Sequence, residues 1–430
     1  MKEKVEDSTW RRLDNSAKIF PISTGKRYST VFRFSVLLKE NINPEILEKA
    51  VNIALDKYKS FKVKMKLGFF WNYFEENPKK PIIEEEKDYP CKYINPDTNN
   101  QYLFKITYFQ RKINIDIFHS LTDGNNGITF FKEIIYNYLE LLYPENFKEK
   151  RNVRKVEYDT EDSYMKNYDK KSKPSSNLKT AYILKGKKIK LGAISAIHQI
   201  IDLEALRAES KKYDATITQY LSAVLIYSIY EENYKENNGK KPIKLCIPVN
   251  LKKYFPSNTM SNFFSYIILE AEMKKNNLDT FEKILEFVKN DFKKKLEPDE
   301  IIKTMSSNVK LGTNPFIKII PLFLKKIFVR LSYLQIRRCM TITFSNVGRV
   351  GIIGDYMEYI DYFLMLIAPE SVEKIKCSSC SFGNKMVFTF TSVLGDNRIE
   401  KRFYKFLTEK NINVEIESNG VLDDISREVE

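Results

Sequence analysis

Residues 31–38 alternate, with Phe32, Phe34, Val36 and Leu38 on one side, the period of a half-buried strand. Asn43-Pro44 then places a capping side chain before a proline at the first helical position. Ile46, Leu47, Ala50, Val51, Ala54, Leu55 and Tyr58 follow at helical spacing and define one apolar face. Alternation returns over 61–67, where Phe61, Val63, Met65 and Leu67 oppose Lys62, Lys64 and Lys66 as a solvated sheet face. Two more strands are predicted at 101–109 and 113–119, joined by the polar turn Gln110, Arg111 and Lys112. A helix is predicted from Asn125, with Ile128, Phe131, Ile135, Tyr138, Leu139 and Leu142 on one face. The order strand, helix, strand, hairpin, helix predicts a mixed α/β layer.

A polar stretch from Glu145 to Lys190, containing Glu157, Asp159, Glu161, Asp162 and then Lys173, Pro174, Ser175 and Ser176, is the best linker candidate. It divides the chain into a first unit, 1–175, and a second, 176–430. The second unit repeats the mixed pattern. Helices are predicted at 202–213, 218–234, 280–296, 317–335 and 397–409. Strands are predicted at 243–249, 262–272, 340–346, 357–367, 372–382 and 385–394. Asp279 and Glu282 stand at capping-box spacing, and Gly383-Asn384 is a two-residue hairpin turn.

Composition narrows the classes. With 430 residues and 43% hydrophobic residues the chain has enough apolar surface for a large core, which excludes global disorder. The net charge of +15 invites a nucleic-acid reading. The lysines are dispersed, however, and no RNP motif, zinc finger or basic Gly-rich tail is present, so no nucleic-acid partner is expected. The five cysteines are scattered, and Cys377 and Cys380 form a lone C-x-x-C without the further ligands a zinc site needs; no metal is expected. The opening residues MKEKVEDSTWRRLDN lack an apolar signal core, and no run of about 18 apolar residues occurs, so a cytoplasmic protein without a transmembrane segment is expected. Phe316 to Leu334 reads as a basic amphipathic helix, expected to pack on the body of the protein.

Chemistry concentrates at His119-Ser120-Leu121-Thr122-Asp123-Gly124, where a strand ends and a helix is about to start. A rigid strand fixes the imidazole and the turn opens it to a cleft; imidazole is the side chain best matched to proton transfer near neutrality. Asp123 would orient the loop through a charged partner, and Gly124 would permit a tight turn. The bland alternatives are a core histidine, since His119 shares the parity of Ile113, Ile115 and Ile117, and a helix cap at Asp123. The other histidine, His198, has no acid or glycine arranged around it. G-x-S-x-G and P-loop motifs are absent, which removes the commonest serine-hydrolase and nucleotide-phosphate chemistries.

The HSLTDG string resembles the H-x-x-x-D-G motif of the coenzyme A-dependent acyltransferase superfamily, which includes chloramphenicol acetyltransferase, alcohol acyltransferases and peptide-synthetase condensation domains. WRRLDNSAKIFP at 10–21, CIPVNLKKYFPSNTMSNFF at 246–264 and TFSNVG at 343–348 are similar to segments of the bacterial alcohol acetyltransferase-like branch, in the same order, as is the helix 218–234. The resemblance implies two related α/β lobes of the chloramphenicol acetyltransferase kind, with a channel between them and the histidine midway along it. It implies direct transfer with His119 as general base, no metal, no bound cofactor, and a coenzyme A thioester as co-substrate. The implied acceptor is a hydroxyl or amine. Asp123 would hold the loop through a basic residue, here Lys252 or Lys253, where the family often has Arg. Ser345, Asn346, Gly348 and Asn262 would line the channel, the first three having a turn after a strand as their plain alternative. The plant-type D-F-G-W-G is absent, and Phe118 stands where many condensation domains double the histidine. Two alternatives stay open: a condensation-type enzyme fed by an acyl carrier protein, consistent with the basic charge, and a non-catalytic binding module of the same fold.

Overall fold

The computed structural model describes residues 10–25, 29–147, 159–172, 179–313, 317 and 319–422. Much of the predicted linker, including Glu157 and Lys173 to Ser176, and the division at 175, lie outside them. The alternating segment 31–38 is a strand, Val31–Leu38, in a five-stranded sheet ordered Ile360–Ile367, Val31–Leu38, Lys112–Phe118, Phe104–Phe109, Ile83–Glu85. Its first strand comes from the C-terminal half and pairs antiparallel with Val31–Leu38. The two halves therefore share a sheet. A seven-stranded sheet runs Phe264–Ala271, Ile243–Asn250, Ile342–Arg349, Ile375–Phe382, Lys385–Ser392, Ser195–Asp202, Val414–Ser418, and a small three-stranded sheet joins Trp10–Arg12, Tyr73–Glu76 and Val63–Lys66. The fold is mixed α/β, as the pattern predicts.

The helix Pro44–Lys57 starts where Asn43 accepts hydrogen bonds from the Glu45 and Ile46 amides, with Pro44 filling a position that needs no donor. Its buried face, from Leu47 to Leu55, packs on the helix Gly124–Leu142 and the five-stranded sheet. The helix Ile217–Ile229 opens with a true capping box, Thr216 and Gln219. By contrast the cap of Phe281–Lys295 is Thr280, not Asp279; the Asp279 carboxylate instead pairs with Lys283 at 2.8 Å. Cys377 lies in the core beneath the large sheet and Cys380 in the core of the other lobe, so the C-x-x-C thiols point to opposite faces.

Besides short strands such as Tyr73–Glu76 and Ile83–Glu85, three longer or better-placed elements were not anticipated. Ser195–Asp202, carrying His198, is a strand covered on both faces, so its apolar residues do not alternate cleanly. Helix Pro298–Thr313 and edge strand Val414–Ser418 are too polar in sequence to announce themselves. Among the described residues no helix is long and apolar enough to cross a membrane.

Candidate active site

The strand Lys112–Phe118 ends one residue before His119, whose amide donates to the Thr30 carbonyl at 3.1 Å. The histidine is thereby pinned to the neighbouring strand, half-buried, at the point where the chain turns into the helix Gly124–Leu142. Phe20 stacks on the imidazole at 4.4 Å between centroids, and Phe32 and Phe264 close on it at 5.1 and 5.3 Å. Phe264 comes from the second lobe, so the ring sits at the junction of both.

The proton on this ring is assigned by a chain of hydrogen bonds. Asp14 is buried and acceptor-only when ionised; its Oδ2 takes the Asn262 Nδ2–H at 3.0 Å. That orientation turns the Asn262 Oδ1 toward His119 Nδ1, 3.1 Å away. An amide oxygen only accepts, so Nδ1 carries the hydrogen and Nε2 is left with its lone pair. Burial lowers the His119 pKa from its ordinary value, with partial opposition from its own backbone carbonyl, Asp123, Asn262 and Asp14. The imidazole is thus held neutral and basic at Nε2.

Every polar residue of the motif is committed to the surrounding segments. Ser120 Oγ donates to the Ala17 carbonyl, Thr122 Oγ1 to the Met260 carbonyl at 2.7 Å, and Asn126 Nδ2 to the Ser261 carbonyl at 2.8 Å. Asp123 caps the helix by accepting from the Asn126 amide at 3.0 Å, while its other oxygen accepts from the Phe263 amide at 2.9 Å. The cap alternative for Asp123 is therefore true, and the same carboxylate also ties the helix to the second lobe. Burial pushes its pKa up, and the two amides and Lys252 pull it back.

The expected ion pair of Asp123 with Lys252 or Lys253 is not formed. Lys252 Nζ donates instead to Asn126 Oδ1 and to the Thr259 carbonyl, both at 2.7 Å. A compact ammonium satisfies separate acceptors and does not require the bidentate carboxylate that Arg would seek. Lys252 braces the loop one helical turn further on. Lys253 is exposed.

Gly124 does not make the tight turn anticipated for it. It is the first helical residue, and a Cβ there would meet Val347, Met365 and Phe34 at ordinary contact distances of 3.5 to 3.9 Å. The glycine the packing requires is Gly127, where a Cβ would come within 3.0 Å of Ile117 and 3.2 Å of Phe32. The contact to Val347 places the TFSNVG strand beside the motif. There Asn346 donates to Thr218 at the start of a helix and accepts from the Gly348 amide at 2.8 Å, with Gly348 at φ 77°. The turn alternative does not hold: Asn346 and Gly348 lie inside the strand Ile342–Arg349, at a bulge where its register with Ile375–Phe382 shifts. Ser345 is half-buried on the same strand just before this bulge.

The four sequence segments are therefore gathered around His119 or its helix. Sequence reasoning missed Asp14 and the rings Phe20, Phe32 and Phe264. Asp14 and Phe20 lie inside the quoted segment 10–21, but nothing in their spacing singles them out.

Residues 167–348 match the family profile described as alcohol acetyltransferase. No curated protein sequence matches the chain. Among solved structures, the chain is similar to polyketide synthase associated protein 5 from Mycobacterium tuberculosis, at 11% identity and TM-score 0.62, covering 92% of this chain and 96% of that one. It is similar to F. sporotrichioides TRI101 complexed with coenzyme A and T-2, at 10% identity and TM-score 0.58, covering 95% and 100%. It is also similar to the first condensation domain of the CDA synthetase, at 10% identity and TM-score 0.60, covering 94% and 96%. The solved structures give the fold: the two-lobed, chloramphenicol acetyltransferase-like architecture. The family match gives the reaction class, acyl transfer.

Proposed function

We propose that this acyltransferase moves an acyl group, most simply acetyl, from a coenzyme A thioester to the hydroxyl of a small alcohol, with His119 as general base. An amine would serve the same geometry as acceptor. The observation that carries the assignment is the Asp14–Asn262–His119 chain, which fixes the proton on Nδ1 and leaves Nε2 free to act. Nε2 takes the acceptor proton as its oxygen attacks the thioester carbonyl. The tetrahedral oxyanion collapses, the C–S bond breaks, and the proton on Nε2 passes to the leaving thiolate. The neutral imidazole is restored, no covalent enzyme intermediate is needed, and atoms and charge balance.

Proton transfer by a positioned base accounts for ~10²–10⁴ in rate. Alignment of two substrates and stabilisation of the oxyanion supply the remainder. Asp123, Lys252 and Gly127 serve by holding the loop and its helix in place, and Ser345 stands on the adjoining strand. Within the cytoplasm, the lobes 1–175 and 176–430 would act as one unit because they share the five-stranded sheet. The test is thiol release from acetyl-CoA across a panel of alcohols and amines, wild type against His119→Ala. Equal turnover would remove His119 from the reaction. A second reading, transfer from a loaded acyl carrier protein, is supported by the +15 net charge, which favours encounter with an acidic donor. Transfer from acyl-CoA as fast as from the carrier would exclude it.

A further inference from the structure

The helix Leu322–Arg337 was expected to lay its apolar face on the body of the protein. It does the reverse. The residues it turns inward are Leu322, Lys325, Val329, Tyr333 and Arg337, at helical spacing. Lys325 is buried, lies over the Trp71 ring at 3.9 Å and donates to the Phe70 carbonyl at 3.1 Å. Arg337 and the Tyr333 hydroxyl meet the Glu370 carboxylate. The outward face carries the bulky apolar groups: Phe323 is 66% exposed and Phe328 63%, with Leu324, Ile327 and Leu331 between them. The loop beside it extends the patch. The Leu322 amide donates to the Phe69 carbonyl at 2.9 Å, and Leu67 and Phe69 are 76% and 70% exposed. A monomer surface seldom carries so continuous an apolar area without a partner.

Charge identifies the partner. Between residues 301 and 354 there are nine Lys and Arg residues and no Asp or Glu. Lys326 and Arg330 flank the apolar face on the same helix, and among the described residues neither forms an ion pair. Two copies docking through this face about a two-fold axis would set like charges together. The longer segments outside the described residues, 1–9, 148–158 and 423–430, hold few bulky apolar residues, among them Val153, Val156, Tyr158 and Ile425, scattered among charged ones and too few to cover it. A surface with apolar depth beneath anionic headgroups satisfies both the rings and the cations.

We propose that Leu322–Arg337 and the loop 67–71 form a docking face for an anionic lipid bilayer, with the phenylalanines entering the acyl boundary and the basic flank meeting the headgroups. The helix that carries this face packs against Phe20–Ser23, whose Phe20 stacks on His119, so one short element separates it from the candidate active site.

The test is flotation of the full chain with vesicles of phosphatidylcholine alone or mixed with phosphatidylglycerol. Binding is expected only to the mixed vesicles and is expected to weaken with added salt. Phe323→Asp/Phe328→Asp should weaken it about tenfold or more, and Lys326→Glu/Arg330→Glu should remove the preference for phosphatidylglycerol. Ile53→Asp, an exposed isoleucine elsewhere, should leave it unchanged. All the altered side chains are at least partly solvent-exposed, and circular dichroism checks that each variant is folded. Absence of flotation, or flotation indifferent to Phe323→Asp/Phe328→Asp, would overturn the proposal. So would a lipid-free dimer that those two substitutions convert to monomer, because the face would then belong to a second copy. The readout is binding, so its failure leaves the acyl-transfer reading standing.

Discussion

The chain has two histidines, each half-buried, each on or beside a central strand, each with its Nδ1 in one hydrogen bond. His119 meets an amide oxygen whose direction is fixed by a buried carboxylate, and its neighbours Asp14 and Asp123 support a positive charge on the ring. His198 meets the Thr389 hydroxyl at 2.9 Å, a group that donates or accepts as required. It faces a cavity of about 650 Å³ whose lining includes Arg33 and Lys112, and burial with those two cations drives its pKa down to about 3. The first position suits a base that must carry a proton for part of each cycle. At the second, burial, Lys112 and Arg33 oppose protonation, and the ring is a neutral wall. The difference lies in what surrounds each ring, not in exposure or strand position.

The hardest test of this contrast is to remove each ring. His119→Ala should lower kcat by ~10²–10⁴ with thermal stability nearly retained, measured by thiol release and thermal melting. Asp123→Ala should come next. It removes a helix cap and leaves the buried Phe263 amide unpaired, so about 2–4 kcal/mol of stability should go, read by urea denaturation. Asn262→Ala sharpens the electrostatic side. In the wild type the acid limb of the kcat/KM profile should fall below the ordinary histidine range, because the base must be unprotonated and burial lowers its pKa. The Asn262 hydrogen bond raises that pKa, so its loss should move the limb to still lower pH, with kcat reduced about tenfold. The smallest effect is expected for His198→Asn: kcat within about twofold and an unmoved pH profile. A large loss there would break the contrast.

Sequence reading located His119 because a histidine at a strand end followed by an aspartate and a glycine is a local pattern. Its orienting partners are not local. Asp14 and Asn262 meet the motif only after the fold brings distant segments together, and neither lies at a spacing that announces it. The same limit explains Gly124 and Gly127. The motif points to the first, whereas the second is demanded by Phe32 and Ile117 across the helix–sheet contact, which no single segment reveals. The strand Val31–Leu38 was legible because polar Arg33 and Ser35 alternate with apolar residues even though both of its faces are buried, while Ser195–Asp202, with apolar residues on both faces, was not. The helix at 322–337 was legible as amphipathic, but periodicity does not say which face turns inward, and buried Lys325 and Arg337 reverse the usual answer.

The strand Ile360–Ile367 completes a sheet whose other members lie before residue 119. During synthesis at about 5–20 residues per second, the first lobe therefore waits on the order of tens of seconds with the Val31–Leu38 edge unpaired. A shortened chain ending before Ile360 would keep that edge bare and present an aggregation-prone template. His119, the proposed base, thus acquires its finished setting only after Ile360–Ile367, about 240 residues later, has been made.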